Sequence, residues 1–226
     1  MNRHEAATEG SVRVEGLSVT YKGTAAVTPI HDLSAFFPAG RVAVVRGPSG
    51  CGKTSLLACL AGLLQPAAGR IYVGDTEVTA LNRQQLDSYR RGTVGIVFQS
   101  FNLIPSLNAL ENVLVPLRAD GVPMGEARRR AAALLERVGL ENRLKHRPSE
   151  MSGGQMQRVA IARALALEPT FVVADEPTAN LDQSHVGSVI TLLRSLGTDG
   201  RTVVIATHDQ RVVDAADQIL DLTPNH

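Results

Sequence analysis

The stretch Gly47-Pro48-Ser49-Gly50-Cys51-Gly52-Lys53-Thr54 fits the pattern G-x-x-x-x-G-K-[ST] of a phosphate-binding loop. Gly47, Gly50 and Gly52 carry no Cβ, so the backbone can take φ > 0 and wrap closely round an anion. Successive N–H groups then converge into one concavity for phosphate oxygens. Working outward, Arg41 to Val45 reads as a buried strand and Ser55 to Ala61 as a helix. The loop therefore opens a helix, whose free N–H groups and positive dipole end favour an anion. Lys53 adds a mobile charge for the β- and γ-phosphates, and the Thr54 hydroxyl is placed to ligate Mg²⁺. Gly47, Pro48, Ser49, Gly50, Cys51, Gly52, Lys53 and Thr54, with Ser55 at the start of the helix, are the expected nucleotide-binding residues of this stretch.

Other strands end in chemistry. Phe171-Val172-Val173-Ala174 runs straight into Asp175 and Glu176, and Pro177 stops it. Successive strand side chains point to opposite sides, so the two carboxylates can have separate jobs. Asp175 can hold Mg²⁺ through water, and Glu176 can polarise an attacking water. Val94 to Phe98 is a buried strand ending at Gln99, where α/β sheets place ligand contacts. Thr202 to Thr207 is another, ending at His208, a residue able to contact a γ-phosphate or to serve structurally. Tyr21 closes an earlier strand and is followed by Lys22-Gly23; its ring is either an ordinary strand aromatic or a stacking surface for a purine base.

Ser152-Gly153-Gly154-Gln155 precedes a helical run, Met156 to Leu167. It reads as a second anion-binding helix terminus, or as a cap with a tight turn. Two phosphate sites so far apart in one chain raise the question of sharing between copies.

Composition bounds the rest. The 226 residues suffice for one large α/β domain or a core with a small appended subdomain. Hydrophobic content of 44% and charged content of 20% are ordinary for a globular chain. The net charge of +1 gives no reason to expect a nucleic-acid partner. No apolar run approaches bilayer length, and the first residues are polar without a signal-peptide apolar region. A cytosolic location is expected, with any membrane role arising through a partner. Cys51 and Cys59 lie on or beside one helix with no Cys/His cluster, which argues against a disulfide framework or a zinc site.

Organisation follows from pattern. The first ten residues read as a loose tail. Ser11 to Tyr21 alternates like a half-buried antiparallel strand, Ile30 to Phe37 as short extended pieces, and Arg70 to Gly74 as a hairpin strand. Asn82 to Arg91 suits a short helix. From Ser100 to about Glu150 proline, asparagine and leucine mix with a basic helix, Glu126 to Val138, striped by Ala131, Leu134, Leu135 and Val138. Its run Arg128-Arg129-Arg130 reads as a solvated face. The expected fold class is α/β: a phosphate-loop core of mainly parallel sheet flanked by helices, with an N-terminal antiparallel β subdomain and an inserted helical subdomain. Residues 1–226 form one domain, with residues 11–99 and 160–226 as the core and 100–159 as the insertion.

In this order the residues resemble the ATP-binding cassette ATPases, over nearly the whole chain from Tyr21 to His208. Gln99 matches that family's Q-loop, Ser152-Gly153-Gly154-Gln155 its signature, Phe171 to Glu176 its Walker B strand with the catalytic glutamate, and Ala179-Asn180-Leu181-Asp182 its D-loop. His208 matches the switch histidine and Tyr21 the aromatic that stacks on adenine. Val97 to Pro105, Leu110-Glu111-Asn112-Val113 and Glu176 to Asp182 are similar to the subfamily that includes the macrolide exporter MacB, the lipoprotein-releasing ATPase LolD and the cell-division ATPase FtsE. Departures are mild: Met151 replaces a leucine, Thr54-Ser55 inverts the common order, and Arg46 stands where an apolar residue is usual.

The resemblance implies an ATPase using ATP and Mg²⁺, active as a head-to-tail homodimer. Its phosphate loop would face the signature Ser152-Gly153-Gly154-Gln155 of the other copy, and Asp182 would be the D-loop residue of the site. Glu176 would be the general base, with His208, Gln99 and Lys53 completing the catalytic set and Thr54, Gln99 and Asp175 holding the metal. A separate transmembrane permease would dock on the Gln99–Pro116 region, leaving the chain peripheral on the cytoplasmic membrane face. The function implied is coupling ATP to export or to lipid or lipoprotein extraction. The alternative is an FtsE-like mechanical signalling ATPase with no transported substrate. A cysteine in the loop further predicts that a bulky thiol reagent on Cys51 blocks nucleotide binding.

Overall fold

Four short, almost purely apolar runs build the centre of the molecule. They are β3 (Val42–Arg46), β6 (Val94–Val97), β7 (Phe171–Asp175) and β8 (Thr202–Ala206), joined by the edge strand β9 (Gln218–Asp221). All five pair in parallel, in the order β6-β7-β8-β3-β9. Parallel strands are covered on both faces, so they read as continuous apolar runs rather than alternating ones. Phe171 to Ala174 and Thr202 to Ala206 are accordingly buried throughout. This computed structural model describes residues 10–21 and 27–223. The tail expected over the first ten residues, apart from Gly10, and the Lys22-Gly23 step after Tyr21 lie outside the described residues.

A second sheet is antiparallel, in the order β2-β1-β4-β5, from β1 (Val12–Tyr21), β2 (Val27–Phe37), β4 (Ala68–Val73) and β5 (Thr76–Glu77). The short pieces expected before Phe37 are one eleven-residue strand. It stays paired with β1 from Val12↔Phe37 to Tyr21↔Val27 because register shifts absorb its irregularities, among them Asp32 at φ 50. Pro29 is tolerated because β2 is an edge strand.

Helix α1 (Lys53–Leu60) lies in a core formed by Val12, Leu17, Phe37, Leu56, Leu60 and Phe171, between the antiparallel sheet and one face of the parallel sheet. Helix α2 (Arg83–Gly92) follows β5 and starts from a capping box, Asn82 with Gln85. The other face of the parallel sheet packs Val97, Val172, Ile161, Val189 and Leu193.

The inserted subdomain is helical and has its own core, including Val113, Leu117, Ala131, Leu135 and Val159. Its helices are α3 (Ala109–Ala119), α4 (Met124–Arg137) and α5 (Gly153–Ala164). Helix α3 is a finding beyond the sequence reading: Pro116 inside it breaks the usual pattern, while Asn108 and Glu111 make a capping box at its start. Helix α5 begins at Gly153, three residues before the expected Met156, and passes unbroken through the 159/160 boundary expected between insertion and core. Helices α6 (Gln183–Thr198) and α7 (Gln210–Asp214) and strand β9 complete the chain. Among the described residues no helix is long and apolar enough to cross a membrane.

Candidate active site

Parallel pairing brings the carboxyl ends of β3, β6, β7 and β8 to one edge. The loops leaving those ends meet in a cleft of about 470 Å³. Of the sequence-predicted residues, Tyr21, Ser49, Gly50, Gly52, Lys53, Thr54, Ser55, Gln99, Asp175, Glu176 and His208 line it.

The phosphate loop is shaped by steric need. Gly52 is the N-cap of α1 at φ 101, and a Cβ there would lie 2.7 Å from Ile30 Cγ1. Gly47 packs so closely that a Cβ would stand 2.4 Å from the Leu222 carbonyl oxygen and 2.7 Å from Cys51 Sγ. No side chain caps α1, and its first turn holds no acidic residue. Its leading N–H groups are therefore available to an anion. Lys53 Nζ donates to the Gly47 carbonyl at 2.8 Å and to that of Pro48 at 3.1 Å, which folds the ammonium over the loop. Gly47, Pro48 and Cys51 do not line the cleft: Pro48 is exposed outside it, Gly47 is half-buried and Cys51 is buried. Cys51 is 3% exposed, packs in the core and does not line the cleft, so a bulky thiol reagent expected to block nucleotide binding would first have to reach a covered side chain. Tyr21 is 47% exposed at the rim, and its hydroxyl lies 2.9 Å from Ser55 Oγ.

Glu176 sits at φ 44, in the left-handed region that L-residues rarely occupy. The surrounding bonds hold it there. Its N–H donates to the Ala206 carbonyl at 2.8 Å. Its Oε2 accepts from Thr207 Oγ1 at 3.0 Å and from the His208 N–H at 3.3 Å, and its Oε1 lies 2.9 Å from His208 Nδ1. Backbone strain over-determined in this way is characteristic of sites where a side chain must be aimed. Thr207 is a member of this network that the sequence reading missed; a hydroxyl next to His208 at a strand's carboxyl end was the available signal.

Burial pushes the Asp175 carboxyl up, and Glu176 adds to that; the Thr54 hydroxyl and the Lys53 charge pull the other way. No cluster of three or more His, Cys, Asp or Glu side chains that could hold a metal exists among the described residues. A single carboxylate with a hydroxyl and an amide fits Mg²⁺, which keeps several waters and shares substrate phosphates.

Gln99 is exposed at the cleft, and its carbonyl accepts from Asn180 Nδ2 at 2.8 Å. The next residues turn sharply, with Phe101 at φ 60 and Asn102 at φ 49. The Arg163 guanidinium fixes this turn, donating to the Asn102 carbonyl at 2.6 Å and the Phe101 carbonyl at 2.9 Å. Beside it, between α2, β6, α3 and α5, runs a second cleft of about 370 Å³ that includes Phe98, Val115, Pro116, Arg90 and Arg91.

Ser152, Gly153, Gly154 and Gln155, which match the signature in the sequence, are not among the residues lining this cleft, nor is Asp182. Ser152 caps α5 in a capping box: its Oγ accepts from the Gln155 N–H at 3.3 Å, and Gln155 Oε1 accepts from the Ser152 N–H at 3.0 Å. A Cβ on Gly153 would lie 2.6 Å from the Asn180 carbonyl oxygen, and one on Gly154 would lie 2.8 Å from His185 Cβ. Arg46, unexplained in the sequence, faces Asp221 across the β3–β9 register and engages its carboxylate through Nε and Nη2, the latter at 3.2 Å.

A family model described as ABC transporter matches residues 30–179. An uncharacterized ABC transporter ATP-binding protein of Mycobacterium tuberculosis is 53% identical over 216 residues, covering 95% of this chain and 66% of that protein. The chain thus spans just under two thirds of the length of such relatives. An uncharacterized ABC transporter ATP-binding protein of Thermotoga maritima is 48% identical over 175 residues, 77% of this chain and 75% of that one. The macrolide export ATP-binding/permease protein MacB of Brucella melitensis is 43% identical over 212 residues, 93% of this chain and 33% of that protein. The dimeric, post-hydrolysis structure of the ATP-binding cassette MJ0796, bound to ADP and Pi, superimposes with a TM-score of 0.87 at 38% identity, covering 94% of each chain. With that fold, that identity and the family match over most of its length, the chain belongs to the ABC transporter family of ATP-binding cassettes.

Proposed function

We propose that this chain is the ATP-hydrolysing subunit of a membrane transporter, coupling ATP-driven closure of two copies to export or to lipid or lipoprotein extraction by a transmembrane permease. The observation that carries this reading is Glu176, held across the cleft from the Gly52–Thr54 turn by Thr207 and His208.

The substrate's phosphates meet the uncapped N-terminus of α1 and the Lys53 ammonium, which exchanges its loop carbonyls for phosphate oxygens. Tyr21 offers its exposed ring to the base. Thr54, Gln99 and Asp175 would hold Mg²⁺, which would supply charge neutralisation on the phosphate oxygens when bound. Glu176 orients a water for in-line attack and takes its proton, a role worth about 10²–10⁴ in rate. His208 Nδ1 at Glu176 Oε1 keeps that carboxylate aimed and lets its other ring nitrogen face the γ-phosphate. Positioning and charge stabilisation supply most of the catalysis.

The signature end of α5 acts on the nucleotide of a second copy, together with Asp182. The MJ0796 cassette is dimeric in two solved structures, one at TM-score 0.87 and one at 0.86, which supports a dimer here. A ligand at a thousand times its dissociation constant favours the state that binds it by about 4 kcal/mol, enough to drive closure. The permease docks on the Gln99–Pro116 segment, along the cleft beside Phe98 and Pro116. The kinship to a macrolide export ATP-binding/permease protein favours export among transport directions.

Glu176→Gln tests this assignment. ATP binding stays, turnover falls by about 10²–10⁴, and an ATP-bound dimer accumulates on gel filtration. Unchanged turnover would remove Glu176 from the role of base.

A further inference from the structure

Two amides in the helical insertion are fully buried, Asn112 and Gln157. Asn112 is satisfied: its Oδ1 accepts from the Ile104 N–H at 2.8 Å, and its Nδ2 reaches the carbonyls of Ile104, Leu107 and Asn108 at 3.2, 3.1 and 3.0 Å. Gln157 is not. Its Nε2 and Oε1 both lack a partner among the described residues. A buried amide without partners is costly, and methionine would fill the same volume without that penalty.

The place of Gln157 suggests its use. On α5 it follows Gly153 and Gly154 by four and three residues and precedes Ile161 by four, so these residues share a face. Gly153 abuts the Asn180 carbonyl, Gly154 abuts His185, and Ile161 packs with Val97, Ala174 and Val189 on the parallel sheet. Gln157 therefore lies between the sheet and the D-loop segment, one turn from the Asn180 carbonyl. Asn180 in turn donates to the Gln99 carbonyl at the nucleotide cleft.

We propose that Gln157 is a positioning residue: when ATP closes the cassette, α5 shifts relative to the D-loop and the Gln157 amide donates to the Asn180 carbonyl. The orphaned amide disfavours the arrangement seen here, and the new bond favours the closed one. The chain Gln157–Asn180–Gln99 then ties the signature helix to the cleft. This inference rests on the ATP-driven closure proposed above.

The first test uses the Glu176→Gln chain, in which ATP is retained. The side-chain NH₂ resonances of Gln157, assigned by isotope labelling, are expected at unbonded positions without nucleotide and shifted downfield with ATP. Resonances unmoved by ATP would overturn the proposal. The second test adds Gln157→Met. The nucleotide-free protein is expected to melt about 2–4 °C higher. ATP binding to the monomer stays as in the parent, while ATP-induced dimerisation weakens about tenfold, the size of one hydrogen bond. A lower melting temperature, or dimerisation equal to the parent's, would contradict it. The parent separates the two readings: if Glu176→Gln alone stays monomeric with ATP, shared closure itself fails.

Discussion

Helices α1 and α5 both begin beside glycines, and their first turns are completed in opposite ways. At α1 the N-cap is Gly52 in a left-handed conformation, with no side chain on the leading N–H groups. At α5 the N-cap is Ser152, which closes a capping box with Gln155. The first terminus is preformed for an anion, lies in the cleft and has Lys53 folded beside it. The second is satisfied by its own chain, lies off the cleft and has its glycines packed against Asn180 and His185. Two turns with similar sequence thus divide the work. In the proposed function one takes nucleotide within the copy that carries it; the other, whose N–H groups are met by its own cap, would have to give up or share cap bonds to serve a phosphate from a second copy.

Several substitutions can break that contrast. Glu176→Gln gives the largest effect, the loss of about 10²–10⁴ in turnover with ATP binding kept; loss of ATP affinity instead would mean that Glu176 belongs to the phosphate cradle. Gly52→Ala forces a Cβ against Ile30 at φ 101, and strain of about 1–3 kcal/mol should weaken ATP binding roughly 5- to 150-fold by titration calorimetry. Affinity within twofold of the parent would show that α1's terminus is not the cradle. Ser152→Ala removes a cap, which should cost about 1 kcal/mol of stability in denaturant melts while monomer affinity for ATP stays the same. The smallest effect belongs to Arg46→Ala. Its exposed pair with Asp221 spans the strand edge, so ATP affinity should not change; a clear loss would give Arg46 a part in loop electrostatics.

The gathering of the cleft residues was legible in the sequence because its signals are local. Buried parallel strands show as unbroken apolar runs, and Asp175, Glu176, Gln99 and His208 follow such runs directly. Tertiary effects were not legible. Pro116 and the asparagines around it obscured α3, which is held by packing on α4 and α5 rather than by propensity. The eleven-residue span of β2 depends on pairing across bulges. Thr207 supports Glu176 only because β7 and β8 lie side by side, and Arg46 finds Asp221 only because β9 returns next to β3. Cys51 was expected to line the cleft because its backbone belongs to the loop; the turn sends its thiol into the core.

The contrast between the two helix starts is tested most directly by Ser152→Asp in the Glu176→Gln background, with nucleotide binding and mass followed together by sedimentation. Aspartate caps as well as serine, so α5 keeps its start, but it sets a negative charge where a partner's phosphate would arrive. The account predicts monomers that each bind one ATP with the parent's affinity and no longer dimerise. An undiminished ATP dimer, or loss of ATP binding by the monomer, would contradict it.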